Sequence, residues 1–251
     1  MALFNGSIAI VTGGSSGIGR AAARLYAQNG AKVVVSDVDE DGGNETVRMV
    51  SQAGGEAAFV RADMARPEDC ERLVNTTLER FGRLDIAFNN AGIGGESNPV
   101  ADYSIEAWQK VISVNLSGVF YCMKYEIPAM LKTGGGAIVN MSSILGLVGF
   151  ANAPAYVAAK HGVIGLTQAA AVEYAAQGLR VNAVAPGFIS TPMIAGLEQD
   201  QNLNNLLISL HPIGRLGKPN EVAELVIWLS SDKASFVTGA YYPVEGGFLA
   251  R

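Results

Sequence analysis

A tyrosine and a lysine four residues apart, Tyr156 and Lys160, are the two side chains whose types and spacing most directly predict chemistry. On a helix, residues four apart lie on the same face, one turn from each other. A phenol has a reference pKa of about 10, and a neighbouring ammonium group favours the phenolate. We therefore expect Lys160 to lower the pKa of Tyr156 and to make it a general acid and base.

Ser143 and Asn115 carry polar side chains that could complete such a site. Ser143 follows a predicted strand, and ligands bind at the carboxyl ends of strands in α/β sheets, so its hydroxyl could hold a substrate oxygen beside the phenol. The amide of Asn115, in a predicted helix, could hold a water that relays protons to Lys160. Each residue also has a simpler explanation: the tyrosine–lysine pair could be surface packing, Ser143 a helix cap and Asn115 a polar residue that bends a helix.

A glycine-rich segment, Thr12-Gly13-Gly14-Ser15-Ser16-Gly17-Ile18-Gly19, follows the first predicted strand and opens a helix. Glycines permit positive φ and close approach of a ligand, and a helix amino terminus offers free N–H groups to a pyrophosphate. The spacing G-x-x-x-G-x-G differs from the common G-x-G-x-x-G, so it indicates dinucleotide binding by its position and mechanism. A plain tight turn is the alternative.

An acidic residue, Asp37, ends the second predicted strand, about 20 residues after Gly17. A carboxylate at this place accepts hydrogen bonds from an adenosine ribose and repels a 2′-phosphate. Asp37 could instead belong to a turn or a cap, since Asp39 and Glu40 follow it. Arg20 is the competing cation, and the solvent side of the first helix is its simpler explanation.

The elements that must position these residues alternate along the chain. Strands are predicted at 8–11, 32–36, 57–60, 86–88, 137–141, 181–184 and 241–244, and helices near 18–29, 40–53, 67–81, 104–131, 154–177 and 219–230. The central strands are unbroken apolar runs, which is typical of parallel strands covered on both faces. The alternation predicts one doubly wound α/β domain over residues 1–251. Residues 188–218 interrupt it and are interpreted as a substrate-side insertion, either a lid or an ordered surface excursion.

The composition argues against several classes of function. A net charge of −5 at pH 7 disfavours binding to nucleic acid or to an anionic membrane. No apolar stretch is long enough for a transmembrane helix, and the first residues do not form a signal peptide. The cysteines, Cys70 and Cys122, form no CxxC pair, and the histidines, His161 and His211, have no metal-ligand spacing. We therefore expect a cytoplasmic protein without a metal site, in which His211 is a structural loop residue.

Taken together, the motifs resemble those of the short-chain dehydrogenase/reductase family, in its single-domain form of about 250 residues. In family order they are Thr12-Gly13-x-x-x-Gly17-Ile18-Gly19, Asp63, Asn89-Asn90-Ala91-Gly92, Asn115, Ser143, Tyr156-x-x-x-Lys160 and Pro186-Gly187-x-Ile189-x-Thr191, and the resemblance covers residues 5–251. It implies a Rossmann-type domain with a seven-stranded parallel sheet flanked by helices. It also implies a nicotinamide cofactor and hydride transfer between a carbonyl and an alcohol.

The resemblance further implies a role for each matching residue. Tyr156 would be the acid and base, Ser143 would orient the substrate oxygen, Lys160 would bind the nicotinamide ribose, and Asn115 would anchor the relay water. The cofactor would be bound by Gly13, Ser15, Ser16, Gly17, Ile18, Gly19, Asp37, Asp63, Met64, Asn90, Ala91, Gly92, Tyr156, Lys160, Pro186, Gly187, Ile189 and Thr191. Because Ser16 and Val38 occupy the places where the family would carry a phosphate-binding cation, the expected cofactor is NAD.

The substrate pocket is predicted by analogy from the loops after strands four, five and six. Its members here are Ser143, Leu145, Phe150, Phe188 and Met193. Their mostly apolar character favours a small secondary alcohol or ketone with hydrophobic flanks. A sugar, a 3-oxoacyl thioester, a hydroxysteroid or a 3-hydroxy acid remains possible with the same chemistry. A non-catalytic dinucleotide-binding sensor is the alternative from another class, and it has no need of a general acid.

Two helical segments, 111–130 and 155–172, carry apolar residues on nearly every side. A helix that is apolar all round needs a second partner besides the sheet. The resemblance supplies one, the same two helices of another copy across a two-fold axis. Because the last strand and Phe248-Leu249 could form a second two-fold contact, we expect a homotetramer.

Overall fold

The computed structural model describes residues 2–250, and seven strands of this range form one sheet. The strands are β1 (Ile8–Thr12), β2 (Lys32–Asp37), β3 (Ala57–Arg61), β4 (Ile86–Asn89), β5 (Gly136–Met141), β6 (Leu179–Pro186) and β7 (Tyr241–Val244). The helices are α1 (Gly17–Gln28), α2 (Glu40–Gln52), α3 (Pro67–Phe81), α4 (Ile105–Ile112), α5 (Gly118–Leu131), α6 (Pro154–Tyr174), α7 (Ala195–Gln199), α8 (Gln201–Ser209) and α9 (Pro219–Ser230). No helix within residues 2–250 is both long enough and apolar enough to cross a membrane.

The sheet has the order β3-β2-β1-β4-β5-β6-β7, and every neighbouring pair of strands is parallel. The chain builds outward from β1 to β3 and then returns to place β4 on the other side of β1. The carboxyl ends of β1 and β4 therefore flank the point where the strand order reverses, which is where such sheets bind ligands. This architecture confirms the predicted seven-stranded, doubly wound Rossmann-type fold.

The unbroken apolar runs of the strands supply two cores, one on each face of the sheet. Ala9 and Val11 of β1 pack into one core with Tyr26 of α1, whereas Ile10 packs into the other with Leu73 of α3. Successive side chains of a strand point to opposite faces, so a strand covered on both sides is apolar at every position. The residues at the strand ends are thus supported by a sheet that is packed on both faces.

The predicted helix at 104–131 is divided in the structure. A π-helical turn, Ser113–Ser117, separates α4 from α5 and carries Asn115. One-turn π segments inside α-helices are rare and occur mostly at functional sites. The apolar pattern continues through the turn, so hydrophobic spacing alone predicts an uninterrupted helix.

The insertion at 188–218 contains two short helices, α7 and α8, which were not among the predicted helices. Asp200 begins α8, because its side chain accepts hydrogen bonds from the main-chain N–H groups of Asn202 and Leu203. The two ends of the insertion lie together, with Ser190 N donating to Gly217 O at 2.9 Å. The insertion is therefore closed at its base, just after the end of β6.

Candidate active site

Tyr156 and Lys160 lie on one face of α6, as their spacing predicts. The Nζ of Lys160 is 5.5 Å from the centroid of the Tyr156 ring. Lys160 is 2% exposed, and its Nζ donates to the main-chain oxygen of Met141 at 2.8 Å. The lysine thus extends from α6 to the carboxyl end of β5 and stands behind the phenol.

The pKa of Tyr156 does not move in the expected direction. Burial raises the pKa of Tyr156 above its ordinary value, and the interaction of its phenol with the Ser143 side chain only partly opposes this effect. Burial also lowers the pKa of Lys160, to about 8, since a low-dielectric surrounding disfavours the ammonium. The net shift in the pKa of Tyr156 is therefore opposite to the one predicted from Lys160, because burial dominates it.

Ser143 caps a turn, as one of its two interpretations predicted, and its side chain also reaches Tyr156. Its Oγ accepts a hydrogen bond from Leu145 N at 3.1 Å, so it caps a short 3₁₀ turn, Ile144–Gly146. Its side chain also interacts with the phenol of Tyr156. Because the capping bond uses only a lone pair of Oγ, the hydroxyl proton stays available to an oxygen beside Tyr156.

The side chain of Asn115 makes two hydrogen bonds to the main chain of one residue. Its Oδ1 accepts from Ile93 N and its Nδ2 donates to Ile93 O, both at 2.8 Å. The amide thus anchors the loop after β4, a contact that the sequence did not indicate. A Cβ on Gly92 would lie 3.3 Å from Asn115 Oδ1 and 3.7 Å from Lys160 Nζ, so the glycine leaves open the space between these two polar groups.

The glycine loop after β1 is shaped by contacts that exclude side chains. Gly13 has a φ of +64°, and a Cβ there would lie 2.7 Å from Asn90 Nδ2. Asn90 in turn donates to the main-chain oxygens of Thr12 and Gly13, at 2.9 and 3.1 Å. A one-atom side chain at Gly13 would therefore displace the loop from β4.

The amino terminus of α1 is suited to an anion. Ser16, at its N-cap, makes no capping hydrogen bond from its side chain, and the first turn contains no acidic residue. The first N–H groups of a helix have no partner within the helix, and they bind phosphate well. This terminus fits the pyrophosphate of a dinucleotide.

Two charged side chains hold the main chain of Ser15. Asp37 Oδ2 accepts from Ser15 N at 3.0 Å, and the Arg20 guanidinium donates to Ser15 O. Arg20 also donates to Thr46 Oγ1 at 2.9 Å and to Gly42 O at 3.2 Å. Arg20 therefore bridges α1 and α2, and does not simply extend into solvent.

Asp63 and Met64 follow β3, beside Asp37, whose main-chain oxygen accepts from Ala62 N at 3.1 Å. Asp63 Oδ1 accepts from Ala65 N at 2.9 Å. Met64 is buried, and its Sδ lies 3.3 Å from the Sγ of Cys122. The structure thus brings the predicted adenine-binding residues to the edge of the sheet that carries Asp37.

The segment after β6 meets the glycine loop. Gly187 N donates to Val244 O at 3.0 Å, which ties the end of β6 to β7. Thr191 lies against the start of α1, because a Cβ on Gly17 would be 3.2 Å from Thr191 Cγ2. The segment predicted to bind the nicotinamide end of the cofactor thus lies next to the glycine loop.

Aromatic rings form one wall among the residues predicted for the substrate pocket. The ring centroids of Phe150 and Phe188 are 6.0 Å apart, and those of Phe188 and Phe248 are 6.4 Å apart. Of the other residues predicted for the pocket, Met193 is 54% exposed, whereas Leu145 is only 7% exposed. Sequence reasoning missed Phe248 as a member of this wall, since its position near the chain end suggested only an interface.

Known proteins similar to this chain are enzymes. A family model described as enoyl-(acyl carrier protein) reductase matches residues 13–249. A cyclohexanol dehydrogenase of Acinetobacter sp. (strain SE19) is 52% identical over 99% of this chain and 97% of that protein. A cis-4-hydroxycyclohexanecarboxylate dehydrogenase of Sinomonas cyclohexanicum is 47% identical over 97% of this chain and 96% of that protein.

Solved structures share the whole fold. The carveol dehydrogenase of Mycobacterium avium, in complex with NAD, has a TM-score of 0.96 and 30% identity, covering 100% of both chains. A structure from Agrobacterium tumefaciens with bound NADP has a TM-score of 0.91 and 36% identity, covering 98% of both chains. Both nicotinamide dinucleotides thus occur among the similar structures.

Proposed function

We propose, because the chain belongs to the short-chain dehydrogenase/reductase family, that it interconverts a cyclic secondary alcohol and its ketone with NAD. The observation that carries this proposal is the arrangement of Ser143, Tyr156 and Lys160 at the carboxyl end of β5. Ser143 interacts with the phenol, and Lys160 Nζ stands 5.5 Å from the phenol ring. The relatives are dehydrogenases that act on alcohols, which supports this reaction class.

The chain's own residues handle the substrate oxygen and its proton. The Ser143 hydroxyl, with its oxygen held by Leu145 N, would donate a hydrogen bond to the substrate oxygen. Tyr156 would receive the alcohol proton during oxidation and return it during reduction. A bound nicotinamide dinucleotide would supply the hydride acceptor or donor. Because burial raises the pKa of Tyr156, the phenol keeps its proton at neutral pH, which is the form that ketone reduction requires, whereas alcohol oxidation requires the deprotonated form.

The choice of NAD is supported by the charges at the glycine loop. Asp37 places its carboxylate at Ser15, where it would oppose a 2′-phosphate. The guanidinium of Arg20 is occupied by oxygens of Ser15, Gly42 and Thr46. An acidic group thus lies at the glycine loop, whereas the nearby cation already has hydrogen-bond partners.

A carbocyclic alcohol is the substrate class that the pocket favours. The wall of Phe150, Phe188 and Phe248 offers apolar area to a ring, and these side chains provide no charge for a carboxylate or a phosphate. A sugar would leave most of its hydroxyls without partners against such a wall. Both relatives are named for a substrate with a cyclohexane ring, which supports a carbocycle, and the substrate named for the second relative also carries a carboxylate.

The assembly and the compartment are part of the proposal. Phe120 of α5 is 47% exposed and Val172 of α6 is 86% exposed, so both helices present apolar groups outward. A homotetramer that pairs these helices would cover these exposed apolar side chains.

A cytoplasmic location is supported by Cys70 and Cys122, which are free and buried thiols.

A substrate panel tests the function directly. Cyclohexanol, a linear secondary alcohol, a sugar, a hydroxysteroid and a 3-hydroxyacyl thioester would each be assayed with NAD⁺ and NADP⁺ at the nicotinamide absorbance. We expect turnover to be fastest with cyclohexanol and NAD⁺. Cofactor binding without turnover of any alcohol would instead support a redox sensor.

A further inference from the structure

A buried histidine, His211, joins the insertion to the substrate wall through both of its ring nitrogens. It follows α8 and is 3% exposed. Its Nδ1 lies 2.8 Å from the main-chain oxygen of Leu207, and its Nε2 lies 3.2 Å from the main-chain nitrogen of Phe188. The sequence-based interpretation of His211 as a structural loop residue overlooks this second contact.

The two partners determine where the imidazole carries its proton. The Leu207 carbonyl can only accept, so Nδ1 must be the donor. The Phe188 N–H can only donate, so Nε2 must be an unprotonated acceptor. Only the neutral Nδ1–H tautomer therefore satisfies both contacts.

The ring of His211 also packs into the aromatic wall. Its centroid lies 5.8 Å from that of Phe188, at an interplanar angle of 83°, and 5.8 Å from that of Phe248. A Cβ on Gly187 would lie 2.8 Å from His211 Nε2, so the residue before Phe188 must be a glycine for this approach. His211 thus contacts the segment after β6, the insertion and the C-terminal segment.

The position of Phe188 depends on these contacts. Its carbonyl accepts from Gly217 N at 3.0 Å, so both main-chain polar groups of Phe188, the first residue of the insertion, bind residues near the end of the insertion. Phe188 also lines a cavity of about 170 Å³, together with Gly187, His211, Ile213 and Val244 among others. Without the His211 contact, Phe188 would have free space beside it into which it could move.

We propose that His211 is a positioning residue for substrate recognition, whose neutral Nδ1–H imidazole holds Phe188 in place as a wall of the alcohol pocket. This inference rests on the proposed function, because it assigns Phe188 to the alcohol. The proposal therefore places part of the substrate specificity in the contact between His211, which follows α8, and Phe188, which follows β6.

Two substitutions separate the hydrogen bond from the ring packing. His211→Phe keeps an aromatic ring and removes the acceptor, whereas His211→Gln offers an amide oxygen at a similar reach without a ring. In His211→Phe the main-chain N–H of Phe188 would be buried without an acceptor. The cost of such an unpaired group corresponds to about a tenfold change in a binding constant. We expect His211→Phe to raise the KM for the alcohol about tenfold, while the KM for NAD stays within about twofold. His211→Gln should restore most of the alcohol KM.

The exposed His161 supplies the matched control, since His161→Gln changes the same residue type away from the wall. Equal alcohol KM values for wild type and His211→Phe, with only a lower melting temperature for the variant, would overturn the proposal. A rise in both KM values by the same factor would also overturn it.

A second measurement does not depend on activity. The chain has two histidines, so long-range ¹H–¹⁵N spectra of wild type and His161→Gln assign the His211 ring nitrogens. We expect a protonated Nδ1 and an unprotonated Nε2, and the opposite tautomer would overturn the proposal. If the wild type turned over no alcohol while showing the Nδ1–H tautomer, the proposed function would fail, and with it the role of His211 toward an alcohol, whereas its link to Phe188 would stand.

Discussion

The carboxyl group of Glu126 and the side-chain amide of Asn89 form a buried pair behind the end of β4. Asn89 Nδ2 donates to Glu126 Oε2 at 3.0 Å, and Glu126 is 1% exposed. Within residues 2–250, Glu126 Oε1 and Asn89 Oδ1 have no hydrogen-bond partner. Burial raises the pKa of Glu126 to about 7, against the lowering effect of the bond from Asn89. The carboxyl group is therefore neutral over much of the acidic range.

This pair predicts how stability depends on pH. A raised pKa in the folded state means that the folded protein binds more protons than the unfolded chain. The free energy of unfolding should therefore fall as the pH rises from about 4.5 to about 7, by an amount of order 3 kcal/mol. Glu126→Gln cannot ionise, so its stability relative to wild type should increase between pH 5 and pH 8 in urea unfolding. Glu79→Gln, at an exposed position, is the control, and an equal pH trend for both variants would contradict the assignment.

Removal of the Tyr156 hydroxyl tests the acid–base role. Tyr156→Phe should lower kcat by about 10²- to 10⁴-fold, which is the usual contribution of a general acid or base. The dissociation constant of NADH, measured by fluorescence, should change little, since the ring remains. Activity close to wild type would rule out Tyr156 as the proton carrier.

The pH profile of oxidation tests the same residue differently. Because burial raises the pKa of Tyr156, its deprotonated form should increase across the alkaline range. The rate of alcohol oxidation should therefore rise with pH, and ketone reduction should be favoured at lower pH. A deuterated alcohol would show whether hydride transfer limits the rate. With such a limit established, a flat oxidation profile from neutral to alkaline pH would argue against the mechanism.

Charge at Asp37 should decide the cofactor preference. Two unit charges about 4 Å apart interact by about 4 kcal/mol at an effective dielectric constant of 20, an upper bound for the repulsion of a 2′-phosphate. We expect kcat/KM to favour NAD over NADP by at least about tenfold. Asp37→Asn keeps an acceptor for Ser15 N while removing the charge, so it should narrow this preference. The control is Asp41→Asn, at an exposed position on α2, which should leave the preference for NAD over NADP unchanged. A wild type that prefers NADP would refute the prediction.

Assembly can be checked by mass. Light scattering at micromolar concentration should give about four times the chain mass of 26.2 kDa. Phe120→Lys places a charge on the exposed face of α5 and should lower the measured mass. A monomeric wild type would contradict the assembly.

The strand and helix pattern of this chain can be predicted from sequence because it depends on local properties. Apolar runs such as 8–11 must be covered on both faces, and α6 follows from apolar spacing after a proline, Pro154. The glycine loop can also be predicted from sequence, because only glycine meets the two requirements at Gly13, a positive φ and no side chain. The relation of Tyr156 to Lys160 also follows from helix geometry alone.

Only the tertiary structure determines the long-range contacts and the burial of those side chains. His211 meets Phe188 across 23 residues, and Glu126 meets Asn89 across 37 residues, so no local pattern reveals either contact. The π-helical turn at Asn115 accompanies its bonds to Ile93, 22 residues away. The raised pKa of Tyr156 has the same origin, because desolvation depends on every element packed around the phenol. Spacing in a sequence shows which groups can meet, whereas burial, which the whole fold creates, determines their charge and their strength as acids.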